Sequence, residues 1–165
     1  MDTAQSLDRL PAGAAWLGYG GLVPFVVPAL APLWDHHHGA VWGDVLFAYA
    51  AVILAFVGAL HWAFAMSLAG LTMQRRQALF AWSVVPALLA WPALLLSPAL
   101  ASPLLIGGFL LHYIQDRRLV RDARLPRWYL PLRRNLTLVA CLCLAAGAWV
   151  AGPTAVPLRA MGVAA

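Results

Sequence analysis

The sequence predicts an all-α polytopic membrane protein of five transmembrane helices, with the N-terminus inside and the C-terminus outside. Three observations carry this. The composition is too apolar for a water-facing surface, five apolar runs reach membrane length, and the arginines fall in alternate loops. The chain has 165 residues, 63% hydrophobic and 10% charged, with a mean hydropathy of +0.78. A soluble domain carries about 25% charged residues. The length would suit one soluble domain, but the apolar runs overrule that, and one membrane domain is expected over residues 1–165.

A transmembrane helix needs about 20 consecutive apolar residues. The first span is roughly 13–33, where Pro24 and Pro28 can kink it. The second, roughly 44–70, contains YAAVILAFVGALHWAFAMSL. The third, roughly 78–97, reads ALFAWSVVPALLAWPALLLS and contains Pro86 and Pro92. The fourth is roughly 99–115 and ends FLLHYIQ. SPALASP joins the two, and its prolines suit a turn at the membrane surface. The fifth is roughly 135–152, NLTLVACLCLAAGAWVAG.

Charge sets the expected orientation. Segment 71–77 holds Arg75 and Arg76, and segment 116–134 holds Arg117, Arg118, Arg121, Arg124, Arg127, Arg133 and Arg134. Segment 34–43 and the 97–103 turn hold no arginine. Short cytoplasmic loops collect basic residues, so both arginine segments are expected inside. Segment 116–134 is read as a basic loop along the membrane surface. Trp128 and Tyr129 are its interfacial anchors, with docking to an acidic partner as the alternative. The net charge of +5 therefore reports topology. No nucleic-acid recognition motif accompanies it, and the expected partner is the bilayer, with a larger membrane complex or a homo-oligomer beyond it.

The N-terminus lacks the basic start, apolar core and small-residue cleavage site of a signal peptide in that order, so the first span is expected to be retained. Cys141 and Cys143 point about 200° apart on a helix and cannot pair with each other. Asp35-His36-His37-His38 is placed outside. Adjacent loop histidines splay apart, and no defined metal site is expected there. There is no Ser/His/Asp spacing, no H-E-x-x-H and no phosphate-binding glycine loop. No catalytic residue, metal or cofactor is expected, and the chain is read as a non-enzyme.

His61 is the outstanding polar group of the spans, because an ionisable residue in an apolar span is a functional-site hypothesis by default. Ala51, Ala55, Ala59 and Ala63 form a small-residue stripe on the opposite side of its helix. Gly58 and Ala65 share the histidine's own face, so this helix is expected at the bundle centre. Counting about 1.5 Å per residue places Tyr19, Ser83 and His112 in the same inner half. His61, Tyr19, Ser83 and His112 are the candidate ligand-binding residues. Three roles compete. A neutral imidazole bonded to Tyr19, Ser83 or the carbonyl freed by Pro86 would fix helix register. A polar cavity open to the inner side would bind a porphyrin-like or lipid-like molecule or relay protons. One haem would be held by His61 and His112, which the count sets about 8 Å apart in depth.

LGYGGLVPF, FAYAAVILAFVGALHWAFAM, WSVVPALLAW and RWYLPLRRNLTLV resemble the small membrane proteins grouped as domain of unknown function 3429. That group is similar to the mitochondrial transmembrane protein 69. The resemblance covers roughly residues 13–150. It implies a bacterial inner-membrane protein of unassigned activity and supplies no catalytic residue. It also implies that arginine can stand at the position of His61 in relatives, which weighs against proton relay or haem ligation. The tryptophan-rich sensory or translocator proteins share the size, the five spans and the many tryptophans, but their motifs have no counterpart here. The leading expectation is an accessory, assembly or interaction protein. The alternative is a small-molecule binder or carrier near His61.

Overall fold

The computed structural model describes residues 10–151. All regular structure among them is helical. The first span is broken into α1 (Ala12–Gly20) and α2 (Val23–Leu30). Two 3₁₀ turns, Ala31–Leu33 and His36–His38, lead into α3 (Gly39–Ser67). Then come α4 (Met73–Ala93), α5 (Pro98–Asp122) and α6 (Tyr129–Ala151). Four segments, 12–33, 36–67, 98–122 and 129–150, are long and apolar enough to cross a membrane. The polar start of α4, Met-Gln-Arg-Arg-Gln, lowers its own apolar content, and its apolar run begins at Ala78. The chain is a polytopic helical membrane protein. Its outward face suits lipid, with Trp16, Phe56, Met66, Leu88 and Trp149 all more than half exposed.

Short turns make successive rods antiparallel. One end of the bundle carries the turn at Gly70, whose φ of +79° favours glycine, and the turn at 123–128. This is the arginine end, and Arg75 Nε there meets Asp122 Oδ2 at 2.6 Å. The opposite end carries His36–His38. The two chain termini, to which the charge rule assigns opposite sides, lie outside the described residues.

α3 is central, as its two small-residue faces suggest. It packs against α2, α4, α5 and α6. Three glycines allow the approach. A Cβ on Gly58 would lie 2.8 Å from Pro86 Cβ, one on Gly108 would lie 2.6 Å from Leu54 Cδ2, and one on Gly147 would lie 2.5 Å from Leu46 Cδ2. The alanine stripe is used only in part. Ala51 is buried, but Ala59 and Ala63 are exposed, and Trp62 beside them is 50% exposed.

Broken or terminal backbone groups find partners. Tyr49 donates to the carbonyl of Gly21, at the break between α1 and α2, at 2.9 Å. Ser102 donates across to the carbonyl of Leu144 at 3.1 Å. Arg76 donates to the carbonyls of Ala65 and Leu68, closing the C-terminus of α3. In hydrocarbon such groups have no water to turn to.

The helices run past the apolar runs. The segment expected as a basic loop over 116–134 is a correction. α5 continues to Asp122, α6 begins at Tyr129, and only 123–128 is turn. The physical reason is that an apolar run marks the membrane-embedded part of a helix, not the helix itself. Nothing between Gln115 and Asp122 breaks a helix, and Pro126 is the first residue that does.

Candidate functional site

A polar layer lies between two apolar clusters. On one side is the main core, reaching Val57 and Phe109, and on the other is a small cluster of Ala65, Leu79 and Leu119. The layer comes from i,i+4 pairs that share one helix face. α5 supplies His112 and Asp116, α6 supplies Tyr129 and Arg133, and α3 supplies His61. His61, His112 and Asp116 are wholly buried, Arg133 is 7% exposed and Tyr129 is 8% exposed.

Asp116 organises the layer. Tyr129 donates its hydroxyl to Asp116 Oδ1 at 2.9 Å, and Arg133 Nε donates to Oδ2 at 2.8 Å. The carboxylate is thus paired with a guanidinium and also hydrogen-bonded, the condition under which a buried charge is tolerated. The Nε2 atoms of His61 and His112 stand 3.6 Å and 3.7 Å from Asp116 Oδ1, beyond hydrogen-bond range. The two imidazoles touch edge to face, with centroids 4.6 Å apart. Trp82 of α4 approaches His112 Nδ1 with its indole N–H at 3.4 Å. Among the described residues, His61 Nδ1, His61 Nε2, His112 Nε2 and Arg133 Nη2 have no hydrogen-bond partner.

The sequence candidates are only partly assembled. His61 and His112 meet, and their expected 8 Å offset in depth is wrong because α5 does not end at residue 115. Edge-to-face contact leaves no room for a macrocycle between the rings, so a haem shared between them does not fit. Tyr19 is 44% exposed, and its hydroxyl accepts from Asn135 at 3.4 Å. Ser83 is buried but donates to the carbonyl of Phe80 in its own helix at 2.6 Å. Neither bonds His61, nor does any carbonyl.

Tyr129, expected at the membrane surface, is buried in the layer. Trp128 is half-buried, while Arg117, Arg118, Arg121, Arg124, Arg127 and Arg134 are exposed. Asp116, Arg133 and Trp82 were not among the candidates. A usable signal existed: His112-x-x-x-Asp116 and Tyr129-x-x-x-Arg133 have helical spacing, and the aspartate lies next to an apolar run. The adjacent Arg117 and Arg118 made that aspartate read as surface.

Beside the layer lies a groove of about 490 Å³. Its walls come from α1, α2, α3, α5, α6 and the 123–128 turn. They are apolar, with Leu60, Phe64, Leu132 and Leu136 among them, except where Tyr129, Arg133 and Thr137 enter. The polar cavity expected near His61 is instead a mainly apolar groove that shares Tyr129 and Arg133 with the buried layer. At the far end of the molecule, Asp35 accepts from Trp42 Nε1 at 3.0 Å and contacts His38 Nδ1 at 2.8 Å. Those bonds, Trp42's first, hold its carboxyl below its ordinary value of 3.8.

The chain is similar to Transmembrane protein 69 of Xenopus tropicalis, at 36% identity over 85% of this chain and 55% of that protein. It is also similar to Transmembrane protein 69 of Mus musculus, at 32% identity over 79% of this chain and 53% of that protein. The chain thus spans about half the length of the curated relatives it matches. No solved structure matches it. The family model described as Protein of unknown function (DUF3429) matches residues 10–149, and the chain belongs to that family.

Proposed function

We propose that this integral membrane protein is a non-catalytic binder of one acyl-chain-bearing amphiphile, held in the groove beside Arg133. The single observation behind this reading is the groove itself. Its 490 Å³ lies in the range of small-molecule sites, which are mostly apolar with a few placed polar groups. The apolar wall suits an acyl chain, and Tyr129, Arg133 and Thr137 supply one polar end. In the same reading the membrane is a bacterial inner membrane, with the arginine end inside as positive-inside bias dictates.

The test is native mass spectrometry of the detergent-purified chain with added oleate, comparing the parent with Leu60→Trp, which fills the groove. Retention of one oleate by the parent and its loss in the variant is the expected result. Equal, non-saturating uptake by both contradicts the proposal.

A second reading, an accessory protein in a larger complex or homo-oligomer, is favoured by the exposed Ala59 and Ala63. Small residues on an outward helix face let another helix approach closely. Native-gel migration after gentle solubilisation tests it, and a lone monomer with nothing co-purifying contradicts it.

A further inference from the structure

We propose that His61, His112 and Asp116 bind one divalent metal ion of the zinc type. The candidate atoms of all three lie within 4.8 Å of one another, and all three side chains are wholly buried. A buried imidazole normally bonds through at least one nitrogen, yet among the described residues neither nitrogen of His61 has a partner, nor does His112 Nε2. Leaving such groups unsatisfied is unfavourable. A shared ion satisfies two of these nitrogens at once.

Two of the three distances suit an ion better than direct bonds. The two Nε2 atoms stand 3.6 Å and 3.7 Å from one carboxylate oxygen. A tetrahedral ion with bonds of about 2.0–2.1 Å holds its ligand atoms about 3.3–3.4 Å apart. The two Nε2–Oδ1 distances need to close by only a few tenths of an ångström, less than a hydrogen bond would require, while the two histidine nitrogens, within 4.8 Å of each other, must draw together by up to about 1.4 Å. Each carboxylate oxygen has about two acceptor sites. Tyr129 takes one on Oδ1, leaving one for the ion, and Arg133 holds Oδ2. Hydrogen bonds to a ligating carboxylate are the usual outer support of a metal site.

Two features limit affinity and identify the ion. Arg133 opposes a cation by charge, so oxygen-preferring Mg²⁺ and Ca²⁺ gain little here, while two imidazoles select zinc and its neighbours. His112 must also bind with its ring proton on Nδ1, the atom the Trp82 indole N–H approaches at 3.4 Å. That contact is long and is given up on binding. Trp82→Phe, which removes the competing donor, therefore tightens the site. The site requires histidine at both 61 and 112, so it is a property of chains that keep both. It does not depend on an amphiphile in the groove.

The test uses the full chain in detergent, without an affinity tag of histidines, with His36, His37 and His38 changed to alanine to silence the exposed loop. Co²⁺ is titrated and its visible ligand-field bands are read. Zinc is counted by elemental analysis after dialysis. One ion per chain is expected, with affinity at least ~100-fold weaker in His61→Leu and in His112→Leu and severalfold tighter in Trp82→Phe. Thermal unfolding of each variant without metal establishes that it is folded. No ion in the parent chain, or a cobalt spectrum unchanged in both folded histidine variants, overturns the proposal.

Discussion

The two ends of the bundle are held together differently. Toward the histidine end the helices meet through size. Leu46 fills the space at Gly147 and Leu54 fills the space at Gly108, and the buried residues described there are mostly apolar, with Ser102, which bonds a carbonyl, and Thr137 as polar members. Toward the arginine end they meet through charge, with Asp116 joining α5 to α6. Apolar packing gains nothing from expelling lipid, so close fit must hold the first region. The second adds a directional, charge-assisted tie, and it leaves unpaired nitrogens and a groove. The packed region is built to stay closed, while the polar region has the unfilled bonding capacity that a ligand site needs.

The largest effect should come from removing the carboxylate. Asp116→Ala leaves Arg133 buried without a counter-charge, and loss of one partner from a buried pair costs about 3–5 kcal/mol. Thermal unfolding in detergent measures it. The double variant Asp116→Leu, Arg133→Leu should recover most of the loss, because it removes both charges. A double variant no better than Asp116→Ala alone breaks the contrast between a charge tie and a packing tie.

A smaller loss, about 1–3 kcal/mol, is expected for Gly58→Val, which forces α3 off Pro86 by overpacking. This loss should be indifferent to salt and pH, as a purely steric effect is. Arg76→Ala, which leaves the last carbonyls of α3 uncapped, should cost about 1.5 kcal/mol, and its opening should appear as faster hydrogen exchange over residues 65–70. Changing the exposed pair Arg117 and Arg118 to Gln should alter stability by less than about 0.5 kcal/mol.

The smallest effect concerns Asp35. Its carboxyl is held below 3.8 by Trp42 and then His38. The stabilising contribution is therefore present above the unfolded value and lost as pH falls through the lowered folded value. Acidification below pH 3.8 should loosen the 35–42 turn, seen as faster exchange of the Trp42 indole N–H.

Much of the architecture was legible in the residues. Apolar run length located five rods, and small residues on two faces of one run marked α3 as central. The site was legible only in part. His61 and His112 stood out because each interrupts an apolar run. Asp116 and Arg133 did not, because hydropathy ends a span where polarity begins, although the helix continues. Reading the i,i+4 spacing of His112 with Asp116 and of Tyr129 with Arg133 across that boundary recovers them. The groove has no sequence signature, since its walls are gathered from five helices and the 123–128 turn, far apart in the chain.

The central claim is that the groove beside Arg133 holds one amphiphile. A diazirine-bearing fatty acid, photoactivated with the protein in vesicles and mapped by mass spectrometry, tests it most directly. Saturable adducts concentrated on Leu60, Leu132 and Leu136, displaced by excess oleate, are the predicted result. Adducts spread evenly over Met66, Leu88, Trp149 and the rest of the lipid-facing surface, with no saturation, would contradict it.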